Sequence, residues 1–513
     1  MSLREKAAKG VLWSVIQKWG REAISFLTFV ALSRLLAPEA FGLVALAFVF
    51  TSFIDIFLDQ GFSAAIVQRA DLEREHLDTA FWTSVLTGIL LTAGGIAASG
   101  LVATFFQEPR LAPVLSWLSM SFILSALSST QIAILQRKLA FKSLAARSLA
   151  ATTVGGTVGI GMAVSGFGVW SLVAQSLANG LAAVIVLWRA SDWRPGFNVS
   201  RKHYKELFSF GVSVVGNNML KVLVRRSDDF LIGYFLGPTA LGYYTIGYRL
   251  LLLIIRVVTG IINSVAFPVF ARIQHQAERM RRAFYNVTQY TSLLAFPVFM
   301  GLAALAPELV PALFGEQWAP SIPVMQVLAL IGILQSVLFF NGTVIRASGK
   351  PSWEFGIMLL NAVCSVIGFL LAVRWGIVAV AASLVIVGYL LAPISYMAVR
   401  RLIQISFRTY LWQFAPSLSA SLIMVAVILG LKYLLRDRSL NLYLELSIYV
   451  LAGALTYGLV IGLTARSLFR QVLELASLVL PGWKLGKKVT AQASLQGALP
   501  SDEAISHTDG NVR

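Results

Sequence analysis

Long apolar segments separated by short polar connections dominate the chain. Fourteen windows are apolar over about the 20 residues that a helix needs to cross a bilayer. Hydrophobic residues make up 57% of the 513 residues and charged residues 13%, which is more apolar surface than a soluble core can bury. The pattern predicts an all-α integral membrane protein with about fourteen transmembrane helices. The windows lie near residues 11–34, 40–67, 80–106, 111–135, 144–165, 167–188, 207–236, 239–270, 283–306, 322–345, 353–373, 377–399, 411–433 and 442–464.

Basic residues in the connections predict which ends of the helices face the cytoplasm. Lysine and arginine are retained preferentially on the cytoplasmic side of a membrane. They crowd the even-numbered connections, whereas the odd-numbered connections hold only Arg34, Arg110, Arg374, Lys432, Arg436 and Arg438. Both termini are therefore expected in the cytoplasm. The net charge of +18 is explained by this asymmetry and by attraction to anionic lipid, so nucleic-acid binding is not expected.

A short motif occurs twice, 200 residues apart. Residues 36–42 and 236–242 share leucine, proline, alanine and glycine at the same positions, and Pro38 and Pro238 both follow the first helix of a six-helix unit. An even number of helices per repeat gives two halves of the same orientation, related by an axis along the membrane normal. The predicted division is an N-terminal lobe at 1–190, a cytoplasmic linker at 191–206, a C-terminal lobe at 207–400, helices thirteen and fourteen at 401–465, and a partly disordered cytoplasmic tail at 466–513.

Charged residues inside the apolar windows are the main candidates for a functional site. An ionised side chain in mid-membrane is costly unless it faces a wet cavity or a partner, so such positions are functional by default. The cations are candidates for binding an anionic substrate, and the carboxylates are candidates for coupling to protons or sodium. The cations are Lys18, Arg21, Lys221, Arg225, Arg226, Arg249 and Arg256, and the carboxylates are Asp55, Asp59, Asp228 and Asp229.

These charges also allow a purely structural interpretation. Lys18 and Glu22, like Arg225 and Asp229, are four residues apart and therefore spaced for an ion pair within one helix. Asp55 and Asp59 serve either to balance cations of the same lobe or to couple transport to an ion. Cations in excess of such pairs would line a cavity that attracts a phosphate or pyrophosphate group.

No set of residues indicates an enzyme, a cofactor or a metal site. The four histidines, His76, His203, His275 and His507, are scattered, and no two stand at a metal-ligand spacing. The single cysteine, Cys364, excludes an intramolecular disulfide. The glycine-rich run 155–161 lacks the lysine and serine or threonine of a phosphate-binding loop, which favours close helix packing.

Several further motifs resemble one family of transporters. The chain resembles the polysaccharide transporter family, the bacterial flippases of lipid-linked oligosaccharides, in five short segments. These segments are residues 32–43, 59–69, 193–195, 207–211 and 346–351. This family belongs to the multidrug/oligosaccharidyl-lipid/polysaccharide exporter superfamily. The resemblance implies a two-lobed helical fold around a cationic cavity, with alternating access. The implied substrate is an undecaprenyl-pyrophosphate-linked repeat unit for O-antigen, exopolysaccharide or capsule.

The resemblance also implies a location and a set of partners. The expected location is the bacterial inner membrane, and the expected partners are membrane lipids, the glycosyltransferases that build the repeat unit and the polymerase that consumes it. Two alternatives stay open: a small-molecule or drug exporter of the same superfamily, whose cavity should be acidic, and a membrane polysaccharide polymerase or ligase, which should carry a sizeable outer loop. The longest predicted outer connection, 307–321, is short.

Overall fold

A computed structural model describes residues 3–59, 62–69, 71–438 and 440–465, and these residues contain helices and no strand. The prediction of an all-α membrane protein is confirmed. The helices are α1 (Leu3–Leu35), α2 (Pro38–Asp59), α3 (Phe62–Gln68), α4 (Arg74–Phe105), α5 (Leu111–Ser119), α6 (Ser121–Arg137), α7 (Phe141–Val164), α8 (Trp170–Ala190), α9 (Arg201–Arg272), α10 (Ala277–Phe314), α11 (Ser321–Ala347), α12 (Pro351–Ala372), α13 (Ile377–Ile403), α14 (Phe407–Trp412), α15 (Ala415–Leu435) and α16 (Leu442–Thr464), with short 3₁₀ turns η1 (Glu316–Trp318) and η2 (Val373–Trp375).

When the helices are judged by length and composition, fewer of them qualify as membrane spans than the sequence predicts. Within the described ranges, 11 helical segments are long and apolar enough to cross a bilayer. Helix α1 falls outside this number because charged residues interrupt it, and α7 because glycine, threonine and arginine lower its hydropathy. Helix α9 contributes one of the 11 segments, residues 226–260. The figure of fourteen therefore stays a prediction, although the described residues of every predicted window are mostly helical.

The two copies of the repeated motif occupy equivalent positions in the chain. Pro38 begins α2, directly after the end of α1. Pro238 follows Gly237, whose φ of +83° interrupts α9 and divides it into α9a (201–236) and α9b (238–272). Proline suits the first turn of a helix because its missing N–H has no partner there. The predicted connection at each proline is confirmed.

The two copies also touch each other through their glycines. A Cβ atom placed on Gly42 would lie 1.7 Å from the carbonyl oxygen of Pro238, and one placed on Gly242 would lie 2.0 Å from the carbonyl oxygen of Pro38. Only glycine permits this approach, so α2 and α9b cross with their backbones in contact. The exchange of equivalent partners is the relationship that a local two-fold axis produces.

Contacts at the predicted outer end join α1 to the turn after α10. The indole N–H of Trp318 donates to the carbonyl of Ser33 at 2.8 Å, and the Gln317 amide donates to the same oxygen at 2.7 Å. The guanidinium of Arg34 donates to the Leu313 carbonyl at 2.9 Å. Trp318 and Ser33 are both fully buried. The structure is therefore closed at this end.

The segment between the two halves is held by side chains of α4. Asp78 accepts a hydrogen bond from the Gly196 amide at 3.0 Å, and Trp82 donates to the Gly196 carbonyl at 2.7 Å. Thr79 accepts from the Ser200 amide at 3.1 Å. This non-helical segment therefore fixes where α9 begins relative to α4.

Residues up to Tyr457 form one compact unit, and a second unit begins at Gly458. Within the first unit, α1 packs on α7, α7 on α8, α4 on α5 and α6, and α11 on α10, α9 and α13, while α2 packs along α9. The predicted tail at 466–513 lies outside the described residues. The boundaries of the two predicted lobes stay a prediction.

Candidate functional site

A cavity of about 560 Å³ lies between helices of the first half and α9. Its walls come from α1, α2 and α8 on one side and from α9a and α9b on the other. The apolar part of the wall is formed by Phe29, Leu32, Phe41, Val44, Ala45, Phe48, Leu172 and Leu252. The polar part is formed by Arg21, Gln175, Ser176, Asn179, Arg226, Asp229, Thr245, Tyr248, Arg249 and Arg256.

Four of the seven cations predicted from the sequence line this cavity. They are Arg21 on α1, Arg226 on α9a, and Arg249 and Arg256 on α9b. Arg249 and Arg256 are seven residues apart, which places them about two turns apart on the same face. The guanidinium of Arg249 lies 4.0 Å from the ring centroid of Phe29, a cation–π contact that orients this side chain.

Carboxylates neutralise two of the four arginines. Asp229 pairs with Arg226 at 2.9 Å, and Glu22 lies 3.5 Å from Arg256. Among the side chains that the structure describes, none forms an ion pair with Arg21 or Arg249. The cavity wall is therefore net positive. Helix α9b supplies one of the two cations that lack a carboxylate partner, and α1 supplies the other.

One ion pair of the cavity joins two different helices, which spacing along a single helix did not predict. Glu22 reaches across to Arg256 on another helix instead of pairing with Lys18 four residues earlier. Lys18 instead points at α9b, where a Cβ placed on Gly260 would lie 2.7 Å from its Nζ. It lies outside the cavity wall. Asp229 pairs with Arg226, three residues earlier in the same helix. The side chain of Arg225, its partner in the sequence prediction, lies outside the described residues, so that pairing stays a prediction.

The candidate coupling carboxylates separate into different environments. Asp229 faces the cavity. Asp228 is buried beside it and accepts hydrogen bonds from the Tyr244 hydroxyl and from the Asp229 amide, both at 2.9 Å. Asp55 lies outside the cavity wall, on the exposed side of α2. Asp228 thus joins α9a to α9b on either side of the Gly237 break.

Three predicted site residues cannot be placed at the level of side chains. Lys221, Arg225 and Asp59 lie on helices α9 and α2, but their side chains are outside the described residues. Their proposed roles therefore stay predictions.

Sequence reasoning missed the uncharged polar wall of the cavity. Gln175, Ser176 and Asn179 project from α8 at spacings of one and four residues, a polar stripe on an otherwise apolar helix. That spacing is the signal that would have found them. Glycines of α7 allow α8 to approach closely, since a Cβ placed on Gly155 would lie 2.8 Å from the Gln175 carbonyl oxygen. The packing interpretation of the glycine-rich run is confirmed.

The interpretation of the histidines as scattered is wrong for one pair. His76 on α4 and His203 on α9a lie with ring centroids 4.0 Å apart, and both are buried. Together with Glu73 they form a group whose ligand atoms lie within 4.8 Å of one another. The pair is far apart in the chain, so only the packing of α9a against α4 brings it together. This cluster is separate from the residues of the cavity wall.

A multi-helix membrane protein with a polar cavity between two halves has the architecture of a transport protein. Residues 31–323 match the profile of a family described as "Polysaccharide biosynthesis protein". This match covers more than half of the chain, and the chain belongs to that family.

Individual relatives are similar over nearly their whole length. "Teichuronic acid biosynthesis protein TuaB" of Bacillus subtilis is 27% identical over 470 residues, covering 89% of this chain and 95% of the relative. "Succinoglycan biosynthesis transport protein ExoT" of Rhizobium meliloti is 28% identical over 476 residues, covering 91% and 95%. The solved structure "Lipid II flippase MurJ, inward closed conformation" has a TM-score of 0.73 at 15% identity and covers 89% of this chain and 99% of that chain. That likeness shows a shared fold.

Proposed function

We propose that the protein is a flippase that exports lipid-linked oligosaccharide repeat units across the bacterial inner membrane for polysaccharide biosynthesis. The observation that carries the proposal is the net-positive cavity, in which Arg21 and Arg249 have no carboxylate partner among the described side chains. The names of two relatives, a teichuronic acid biosynthesis protein and a succinoglycan biosynthesis transport protein, support the substrate class.

The proposed role of the cations is to hold the pyrophosphate of an undecaprenyl-pyrophosphate carrier. Guanidinium groups bind phosphate oxygens through paired, charge-assisted hydrogen bonds. Arg21 and Arg249 approach the same cavity from α1 and α9b, so one pyrophosphate can contact both halves of the protein. Lys221 and Arg225 are proposed to add positive charge from α9a.

The polar stripe on α8 is proposed to receive the sugar units. Gln175 and Asn179 carry both hydrogen-bond donors and acceptors, which match the hydroxyl groups of a glycan. Tyr248, on the opposite wall, adds an aromatic face and a hydroxyl group. Such uncharged contacts tolerate different sugars, while the arginines recognise the carrier.

The proposed transport cycle is alternating access between two lobes, 1–190 and 207–400, joined by the linker 191–206. The closed contacts of Trp318 and Gln317 with Ser33 would open to release the substrate on the outer side. Asp229 is the carboxylate best placed to couple this change to a cation, because it faces the cavity.

Glycosyltransferases would supply the substrate, and a polymerase would consume it. Both termini are proposed to lie in the cytoplasm.

A small-molecule exporter is the second candidate, and the charge of the cavity argues against it. Organic cations, typical substrates of drug exporters, would be repelled by four arginines faced by one lining carboxylate. A polymerase or ligase would need residues that activate the transferred sugar. The cavity wall offers only Asp229 as a carboxylate among the described residues, and it is paired with Arg226.

The test is transport of a fluorescent undecaprenyl-pyrophosphate oligosaccharide by purified protein in liposomes, followed with a membrane-impermeant quencher. Each charge-assisted contact to phosphate is worth about 1.5–3 kcal/mol, so Arg21→Ala and Arg249→Ala should each weaken apparent affinity about ten- to a hundred-fold. Lys221→Ala should also abolish export, and Lys221→Arg should retain part of it. Arg374→Ala, which removes an exposed arginine outside the cavity, is the control. Wild-type transport by all three variants, Arg21→Ala, Arg249→Ala and Lys221→Ala, would refute the proposal.

A further inference from the structure

We propose that Glu73, His76 and His203 form a binding site for a divalent transition-metal ion of the zinc class, with Glu75 as the carboxylate that orients His203. The site lies where the first turn of α9 meets the start of α4. It does not depend on the proposed transport function, because none of its residues lines the central cavity.

The distance between two of the ligand atoms fits a shared metal ion. Two ligands held about 2.0–2.1 Å from zinc in a tetrahedral arrangement are about 3.3 Å apart. Nε2 of His203 lies 3.4 Å from a carboxylate oxygen of Glu73. This separation is longer than an ordinary hydrogen bond between such groups, and it leaves room for an ion that contacts both.

The other nitrogen of His203 supports the same assignment. Nδ1 is buried and has no hydrogen-bond partner among the described residues, which is costly for a polar atom. A carboxylate oxygen of Glu75 lies 3.6 Å from it, just beyond hydrogen-bond distance. A histidine that binds a metal through one nitrogen usually donates the other N–H to a carboxylate. With a metal on Nε2, a small movement of the exposed Glu75 side chain satisfies Nδ1.

His76 completes the site from within α4. Glu73 and His76 are three residues apart at the first turn of this helix, so their side chains lie on the same face. The backbone N–H of Glu73 donates to Nδ1 of His76 at 3.2 Å. Coordination through Nε2 places the ring proton on Nδ1, so this bond opens when the metal binds. Metal binding thus replaces the capping hydrogen bond between the Glu73 N–H and His76 with a bond from His76 to the metal ion.

The surroundings hold the two histidines in place before any metal binds. The segment leading to His203 is tied to α4 by the bonds of Gly196 and Ser200 to Asp78, Trp82 and Thr79. Preorganised ligands lower the entropic cost of binding. A metal at this point would link the start of α9 to α4 and so stiffen the connection between the two halves of the chain.

The test uses Co²⁺, whose visible absorption reports the coordination geometry, and protein purified through a tag without histidine. The background variant His275→Ala/His507→Ala/Cys364→Ser leaves His76 and His203 as the only imidazole or thiol ligands of the chain. It should bind one Co²⁺ with tetrahedral-type bands that Zn²⁺ displaces. His76→Ala and His203→Ala should each weaken binding at least about tenfold, and Glu75→Gln by about ten- to a hundred-fold. Glu316→Gln, at an exposed glutamate elsewhere, should have no effect.

A cysteine in place of His203 separates direct coordination from a structural effect. In the same background, His203→Cys should keep Co²⁺ binding and add a thiolate-to-metal charge-transfer band in the near ultraviolet. That band arises only if residue 203 contacts the metal. Its absence, or unchanged Co²⁺ affinity in both histidine-to-alanine variants, would overturn the proposal.

Discussion

Gly42 of α2 lies against the carbonyl oxygen of Pro238, and the equivalent residue of the second repeat, Gly242, lies against the carbonyl oxygen of Pro38. The duplicated motif is therefore a contact between its own two copies. Because glycine has no Cβ, the two helices approach at the backbone, and the contact closes the bundle near the predicted outer end of α1.

Substitution of Gly42 or Gly242 by alanine should destabilise this closed arrangement. The added Cβ would meet a carbonyl oxygen at 1.7 Å or 2.0 Å, and the backbone of α2 or α9b would have to move. Overpacking of this kind costs about 1–3 kcal/mol, so we expect a clearly lower midpoint of thermal unfolding in detergent. Gly94→Ala is the matched control, since a Cβ on this residue of α4 would have no other atom within 4 Å. Equal midpoints for Gly42→Ala and Gly94→Ala would contradict the packing argument.

Locking the predicted outer end should stop transport reversibly. Gln317 bonds the carbonyls of Ser33 and Leu36, so a cysteine at Gln317 and one at the exposed Leu35 are close enough for a short bifunctional reagent. In a Cys364→Ser background, a cleavable crosslink should abolish transport, and reduction should restore it. Each single cysteine variant treated in the same way is the control. Full transport with the crosslink in place would exclude opening at this end.

The sidedness of the connections can be measured by thiol labelling. We expect a cysteine at Glu316 to react with an impermeant reagent added to intact cells, because this residue is exposed in the predicted outer connection after α10. A cysteine at the exposed Gln274, in the connection before α10, should react only after the membrane is permeabilised. The reverse pattern would invert the topology inferred from the basic residues.

The hydrogen bond from the Tyr244 hydroxyl to the Asp228 carboxylate should stabilise the folded protein. Both residues are buried, and removing the hydroxyl leaves a buried carboxylate without this donor. Tyr244→Phe should therefore lower the free energy of unfolding by about 1–3 kcal/mol. Asp228→Asn keeps an acceptor for the same hydroxyl and should be milder. Export by Asp228→Asn, measured at matched protein levels, separates this structural role from ion coupling: loss of export with intact stability would favour coupling.

Acid should reduce the stabilisation that the turn between α4 and α5 contributes to the folded protein. Arg110 hydrogen-bonds the carboxylate of Glu108 at 2.8 Å and holds its pKa below the ordinary value of 4.5. A lowered pKa means that the folded state binds the carboxylate's proton less readily than the unfolded state. The resulting stability is present at neutral pH and is lost as the pH falls below about 4.5 towards the lowered pKa. The unfolding midpoint of the wild type should therefore drop more steeply with acid than that of Glu108→Gln. Parallel curves would show that this pair does not contribute.

Much of the fold follows from local properties of the sequence. Membrane helices satisfy their own backbone hydrogen bonds within about 20 apolar residues, so the apolar windows predict them one at a time. The repeated motif placed Pro38 and Pro238 in equivalent connections, because a repeat of contiguous residues can be recognised in the sequence itself. The excess of cations over carboxylates was also predictable, since it needs only the composition of each helix.

Partners that come from different helices could not be predicted. The pairing of Glu22 with Arg256, the cation–π contact of Arg249 with Phe29 and the meeting of His76 with His203 depend on how helices pack. Spacing along one helix favoured Lys18 as the partner of Glu22, whereas the structure pairs Glu22 with an arginine of α9b. The sequence by itself determined the helices, the repeated motif and the surplus of positive charge, because these are properties of contiguous residues. The tertiary structure alone decided which arginines face the cavity without a described carboxylate partner, because an ion pair between helices depends on distances that spacing along the chain does not contain.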